Sequence, residues 1–427
     1  MKKKYILPVA LLTLAISGCT DLDVDVKSFH TEYPDSEIAI EAKTSDAYYA
    51  FAGPLNRRYN ELVTFSSDEA MGVSFDGDYY DSGNNAHPSL HNSLANDACI
   101  GWYGDLSSGI TKCNQIIIEL GGDAASPVAI APVRAARAFY HFILMDCFGD
   151  IPILERTPED NEAVERAPRA DVARWIESEL LAVRDDMTRE MNAATYGKPT
   201  RWMVDALLAK LYINWNVYTK DVTNAGWSAT TANEKLNDCI AVCDDIIRSG
   251  LFNLSDDYKA KFLYNNGPHI KDFIYAMDYD CVTRTGMNYA RFRTWRRGQN
   301  DGSGGAGFYT VAMSNSVGGN IVMTEEFANL FSLEGDRRND CIVGGDIYQI
   351  DATTAEKTGN RNMYQGAAVS MSKSIKLKEI LDDNGNVIPL GAAYDNLNTG
   401  ANIIGWTQGW RSIKFAAYVT EYNQYGR

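Results

Sequence analysis

Two polar segments of the sequence combine aromatic rings with short polar side chains, a combination that suits sugar recognition. The first is residues 76–85, DGDYYDSGNN, and the second is residues 289–296, YARFRTWR. A sugar ring packs its C–H face on a flat aromatic ring, while its hydroxyl groups hydrogen-bond to Asp, Asn and Arg. The predicted ligand-binding residues are the platforms Trp295, Tyr79 and Tyr80 and the hydrogen-bonding partners Asp78, Asn84 and Arg291.

Other interpretations of these two segments stay open. Aromatic residues in loops often serve only to pack the loop, and the arginines around Trp295 also suit a peptide ligand. The carboxylates Asp76, Asp78 and Asp81 offer oxygen ligands for calcium, but their spacing does not fit the EF-hand loop. We therefore predict no metal site in this segment.

Signatures of catalysis are missing from the sequence. It contains no GxxxxGK[ST], HExxH or GxSxG motif, and only five histidines. His87 and His91 are four residues apart in a stretch rich in Pro and Asn, which is a poor setting for zinc, and His141 has the surroundings of a packed core residue. We expect no enzymatic activity and no cofactor. A surface hydrolase stays an alternative, because the spatial separation of two carboxylates is not visible in a sequence.

A helical scaffold is predicted to position the two segments. From about Ser36 to Leu251 the pattern is mostly helical, and small residues among large ones favour closely packed antiparallel helical pairs, as in tetratricopeptide solenoids. One stripe recurs at helical spacing and comprises Val172, Ile176, Leu180, Val183 and Met187. Other predicted helices cover residues 97–120, 133–148 and 199–215, and a last one begins at Leu236 and ends at Gly250.

After Leu254 the pattern changes to loops and short strands. Gly, Asn, Asp and Tyr become frequent, residues 273–277 (FIYAM) are typical of a strand, and residues 383–386 (DNGN) are typical of a hairpin turn. We therefore predict a mainly α fold, in which a tetratricopeptide-like scaffold is decorated with long loops and a few short strands. Residues 19–254 form the helical region and residues 255–427 the loop-rich region.

The N-terminus has the pattern of an exported lipoprotein. Three lysines precede a twelve-residue apolar stretch, which is too short for a permanent membrane span. Residues 16–19, Ile-Ser-Gly-Cys, resemble a bacterial lipobox, which implies that residues 1–18 are a signal peptide and that Cys19 is acylated. Residues 20–23, TDLD, resemble the acidic export signal of Bacteroidetes surface lipoproteins. The net charge of −16 argues against nucleic acid as a partner.

Several motifs in order resemble the SusD/RagB family of Bacteroidetes outer-membrane lipoproteins. The strongest is residues 133–154, VRAARAFYHFILMDCFGDIPIL, a helix that ends in an aromatic-Gly-Asp-hydrophobic-Pro turn. Residues 102–120, with Asn114, are similar to the preceding helix of the family. The remaining matches are Pro168-Arg169, GKPT at residues 197–200, IIRSGLFNL at residues 246–254 and, more loosely, Phe331 with Asp336-Arg337.

The resemblance implies a surface protein that binds a glycan without cleaving it. Its expected partners are a SusC-like TonB-dependent transporter, a glycan and the outer membrane, with peptide capture by the same architecture as the alternative. In the family, ligand contacts come from loops in roughly the two segments described first. Members usually continue into a Pro-x-x-Arg-x-Ala-Asp-like segment and further helices, whereas this chain stops at Arg427. We therefore expect that the C-terminal region is incomplete.

Overall fold

The fold is given by a computed structural model that describes part of the chain. The described residues are 37–52, 55, 57–72, 88, 91, 93, 100–221, 227–228, 230–254, 257–262, 266–278, 321–351, 357–364, 367–368, 370–375, 384–386, 409–412 and 414. The chain divides into a unit of residues 1–41 and a unit of residues 42–427. In the first unit, only the start of one helix is described.

Helices dominate the described N-terminal half. The bounds are α1 Glu37–Tyr49, α2 Arg57–Phe65, α3 Tyr103–Glu119, α4 Pro127–Phe148, α5 Arg169–Val183, α6 Arg201–Ile213, α7 Trp215–Thr219 and α8 Leu236–Arg248. Helices α3, α4 and α5 pack on one another in chain order, and α6 packs against α8. The predicted mainly α scaffold of packed helical pairs is confirmed.

The predicted apolar stripe lies in the centre of this scaffold. Its five residues are at most 5% exposed, and α5 carries four of them, with the fifth following a short 3-10 turn. Three tryptophans of the helical half, Trp102, Trp202 and Trp215, are buried, whereas Trp175 is half-buried. Spacing of three and four residues thus identified the buried face of α5 correctly.

Helix α4 forms the middle of the core because small residues alternate with large ones along it. Its buried residues include Ala135, Ala136 and Ala138, and Tyr140 packs its ring over Gly109 of α3. A Cβ atom at Gly109 would lie 2.4 Å from that ring. Helix α4 is also the one described helix that is long and apolar enough to span a membrane, but most of it is buried inside the protein.

The C-terminal half contains α9, Glu325–Asn329, and all the described strands except β1, which pair in short antiparallel ladders. The strands are β1 Ala70–Gly72, β2 Ile321–Met323, β3 Ile342–Val343, β4 Gly345–Asp346, β5 Tyr348–Ile350, β6 Lys357–Arg361, β7 Met363–Tyr364, β8 Ala367–Ala368, β9 Ser370–Met371 and β10 Arg411–Ser412. They pair as β1–β2, β3–β10, β4–β9, β5–β6 and β7–β8. A few short strands after the helices match the prediction.

Local expectations had mixed outcomes. Gly250 follows the last residues of α8 with φ of +67°, the left-handed conformation expected of a residue that ends a helix. The prediction of a strand at residues 273–277 is wrong, because this segment contains bends and no ladder pairing. Met277 packs against the helical core, and residues 273–275 line a cleft among the helices. Of the predicted hairpin, residues 384–386 form a turn, with Gly385 at φ of +84°.

Candidate ligand-binding site

All six residues predicted to bind the ligand lie outside the described residues. They are Trp295, Tyr79, Tyr80, Asp78, Asn84 and Arg291. Cys19 and the three carboxylates considered for calcium also lie outside them. These residues therefore remain predictions, and the structure contributes the described scaffold around them.

Strand β1 ends shortly before the first predicted segment, strand β2 begins after the second, and the two strands pair with each other. Gly72 pairs with Ile321 and Ala70 with Met323. The Thr324 hydroxyl donates to the carbonyl of Asp68 at 2.6 Å, and the Met323 amide donates to the carbonyl of Trp410 at 2.8 Å. The segment that contains Tyr79 directly follows β1 in the sequence, and the segment that contains Trp295 precedes β2.

The turn that follows α4 is fixed at both of its ends. Gly149 ends the helix with φ of +77°, a conformation that side chains rarely adopt. Ile151 then bridges to Ala167, and the carboxylate of Asp150 accepts a hydrogen bond of 2.8 Å from the backbone amide of Arg169. The turn therefore caps α5 while it closes the gap between α4 and α5.

A buried network of charges connects three helices to this turn. Glu179 of α5 accepts hydrogen bonds from Arg137 at 2.5 Å and from Arg134 at 2.6 Å. Arg137 also donates to the side-chain oxygen of Asn114 at 2.7 Å and to the carbonyl of Glu155 at 3.0 Å. Burial raises the pKa of Glu179, but the two guanidinium groups outweigh this effect and lower the pKa overall.

His141 belongs to the same network and is fully buried. Its Nδ1 donates to the carbonyl of Arg137 at 2.8 Å, and its Nε2 accepts from the amide of Leu154 at 3.1 Å. Burial lowers the pKa of His141 to about 4. The ring is therefore neutral at pH 7 and acts as a structural hydrogen-bonding residue, in the buried core position that the sequence predicted.

An aromatic cleft of about 440 Å³ lies between α4 and α6. This volume is in the range of small-ligand pockets. Its aromatic walls are formed by Phe139 and Phe142 of α4, Tyr59 of α2, and Phe273 and Tyr275 of the segment that follows α8. The segment predicted to be a strand is thus one wall of the cleft.

Three charged residues accompany these rings. Asp146 and Lys210 are exposed, and Asp146 accepts a hydrogen bond of 2.7 Å from the hydroxyl of Tyr218. The side chain of Asp272 is only 9% exposed, and its Oδ2 pairs with Lys261 at 2.7 Å. The other oxygen of Asp272 is buried and accepts no hydrogen bond from the protein. The cleft therefore combines apolar walls with an acceptor that lacks a donor.

Groups that support metal or thiol chemistry are missing from the described part of the chain. No cluster of three His, Cys, Asp or Glu residues there has the geometry of a metal site. Burial raises the pKa of the Cys113 and Cys147 thiols to about 12, so both are protonated at pH 7. The free thiols Cys239 and Cys243 pack in or against the core, as expected for small apolar residues.

Sequence patterns did not single out the cleft. Phe139 and Phe142 belong to a predicted helix, and Asp272 stands beside the segment predicted to be a strand. One signal was present, because residues 272–275 place a carboxylate beside three large apolar side chains in a loop-rich region. The cleft itself depends on the packing of α4 against its neighbours.

The described residues form a scaffold of packed helical pairs that is followed by short β-ladders and has an aromatic cleft among its helices. Residues 37–213 match the SusD-like family described as starch-binding and associating with the outer membrane. A comparison with curated proteins gives no match.

Solved structures share the fold at low sequence identity. A surface glycan-binding protein A from Bacteroides fluxus is 20% identical with a TM-score of 0.55, and the match covers 73% of this chain and 65% of that chain. A SusD superfamily protein from Parabacteroides distasonis is 18% identical with a TM-score of 0.61, over 90% and 69% of the two chains. This chain thus spans slightly less than two thirds of the first protein.

A third structure was solved with a bound sugar. It is the surface glycan-binding protein A from Bacteroides thetaiotaomicron in complex with laminarihexaose, which is 15% identical with a TM-score of 0.60, over 91% and 72% of the two chains. The resemblance to the SusD/RagB family is confirmed, because residues 37–213 match a SusD-like family and the chain has the tetratricopeptide-like helical fold of SusD superfamily proteins.

Proposed function

We propose that this protein is a cell-surface lipoprotein that binds a glycan without cleaving it and passes it to a TonB-dependent outer-membrane transporter. The observation that carries the proposal is the SusD-like match of residues 37–213 together with the fold shared with surface glycan-binding proteins. Acylated Cys19 would anchor the protein, since each buried methylene group of an acyl chain contributes about 0.8 kcal/mol.

The pairing of β1 with β2 supports a shared binding face for the two predicted loops. Gly72 and Ile321 are direct partners, so the chain before the first predicted segment and the chain after the second meet in one ladder. Stacking of a sugar on Trp295, Tyr79 or Tyr80 would supply apolar contact, and Asp78, Asn84 and Arg291 would select the hydroxyl pattern. The absence of catalytic motifs from the sequence fits capture without cleavage.

Native affinity electrophoresis in gels that contain different polysaccharides tests the binding step. We expect that one glycan retards the protein and that Trp295→Ala abolishes the retardation. The matched control is Tyr348→Ala, because Tyr348 is a half-buried aromatic that already lies beside the cations of Lys357 and Arg361. Retardation that survives Trp295→Ala would contradict the assigned residues, and no retardation by any glycan would contradict glycan capture.

Two further measurements test anchoring and delivery. Cys19→Ser should move the protein from the membrane fraction to the soluble fraction of cells that express it. The wild-type protein, extracted from outer membranes with detergent, should copurify with a TonB-dependent transporter. An unchanged membrane fraction for Cys19→Ser would refute the lipid anchor, and copurification without any such transporter would refute the delivery step.

A further inference from the structure

The cleft between α4 and α6 has the chemistry of a second ligand site, separate from the predicted loops. Its volume is about 440 Å³, and its lining residues come from α2, α4, α6 and residues 272–275. A cleft of this size needs a ligand with apolar surface, because exposed aromatic walls gain free energy when they are covered.

Asp272 sets the polarity of the group that this ligand must carry. Its Oδ1 is buried and lacks a donor, and a buried acceptor without a partner destabilises the protein. Its Oδ2 already pairs with Lys261, so the ion pair is neutral as a whole. A second cation would therefore find little net charge here, whereas a hydroxyl group would supply the missing hydrogen bond.

The outer residues of the cleft offer both kinds of hydrogen bond. Lys210 can donate and Asp146 can accept, and both are exposed to solvent. Neighbouring hydroxyl groups on one sugar ring need both a donor and an acceptor beside a stacking surface. We infer that the cleft between α4 and α6 binds an uncharged saccharide of one or two rings, with a hydroxyl group donating to Asp272. This inference takes its ligand class, but not its residues, from the proposed function.

Binding of maltose, cellobiose and laminaribiose to the purified full chain tests the inference by titration calorimetry. Ala206 is half-buried on α6 and lines the cleft, so Ala206→Phe should fill it and weaken disaccharide binding at least tenfold. Ala182→Phe, at an exposed position of α5, is the matched control and should change affinity less than twofold. Lys210→Ala, which removes one donor from an exposed position, should weaken binding about threefold and keeps the test valid if Ala206→Phe does not fold.

The outcomes separate this site from the loops. Equal disaccharide affinity in wild type, Ala206→Phe and Lys210→Ala would overturn the cleft assignment, as would tetramethylammonium binding in place of the sugars. If polysaccharide retardation is lost in Trp295→Ala while no disaccharide binds the wild type, the proposed function stands and the cleft site is refuted. If the cleft variants alone lose disaccharide binding and no polysaccharide retards the protein, the cleft site stands and the proposed polymer capture is refuted.

Discussion

Replacement of His141 by glutamine should remove one pH-dependent component of the free energy of unfolding. Glutamine keeps a donor and an acceptor near the carbonyl of Arg137 and the amide of Leu154, but it does not titrate. Burial lowers the pKa of His141 from 6.5 to about 4 in the folded protein. Between these two pH values only the unfolded chain binds the proton, so the free energy of unfolding of the wild-type protein decreases as the pH falls.

The size of this loss follows from the two pKa values. Well above pH 6.5 neither state is protonated and His141 contributes no pH dependence. At pH 5.5 the proton stabilises the unfolded chain by about 1.4 kcal/mol, and near pH 4 the loss approaches about 3 kcal/mol. The sequence pI is about 4.8, so a measurement that stops at pH 5.5 avoids the region where the net charge vanishes.

Urea unfolding at pH 7.5, 6.5, 6.0 and 5.5 measures this effect, with wild type and His141→Gln compared at each pH. Other titrating groups cancel in the difference between the two proteins. We expect wild type to lose about 1.4 kcal/mol relative to the variant between pH 7.5 and 5.5. Parallel pH profiles would refute the reasoning, because they would mean that the folded protein accommodates the imidazolium ion.

Three other substitutions test how the scaffold is held together. Glu179→Gln should lower the free energy of unfolding by about 3 kcal/mol in urea at pH 7, because it leaves the two arginines of α4 without a charge partner; a change below 1 kcal/mol would contradict this. Gly109→Ala should destabilise by about 1–3 kcal/mol, since its methyl group meets the ring of Tyr140, and a thermal midpoint equal to wild type would show that the ring yields freely. Asp150→Ala should lower the free energy of unfolding by about 1 kcal/mol in the same urea assay, because it removes the cap on α5. Asp150→Asn keeps a side-chain oxygen and should retain most of this stability. Equal losses of stability in the two variants would exclude the cap as the cause.

Helical periodicity predicted the scaffold because it depends on local spacing alone. The stripe from Val172 to Met187 is buried as expected, and Gly250 ends α8 in the expected conformation. Helix α4 begins at Pro127, six residues before the predicted start at Val133. Pro132 therefore lies inside the helix, where its missing N–H removes one backbone hydrogen bond.

Features that depend on contacts between distant parts of the chain were harder to predict from the sequence. The composition of residues 273–277 predicted a strand, but strands need a partner, and here these side chains line a cleft among the helices instead. The cleft and the lone acceptor of Asp272 result from the packing of four chain segments, which no local pattern encodes. The predicted ligand residues remain a prediction from composition and from family resemblance.

The ladder that joins β1 to β2 also has a kinetic consequence. Asp68 and Thr324 are hydrogen-bonded although they are 256 residues apart in the chain. Closing a loop of this length carries an entropic cost that only accumulated native contacts can offset, and such contacts slow folding. Helices α3, α4 and α5 are close in sequence and can dock early. We therefore expect the ladder to form late in folding, so that a chain arrested before this step would have a nearly complete helical core without the β1–β2 ladder.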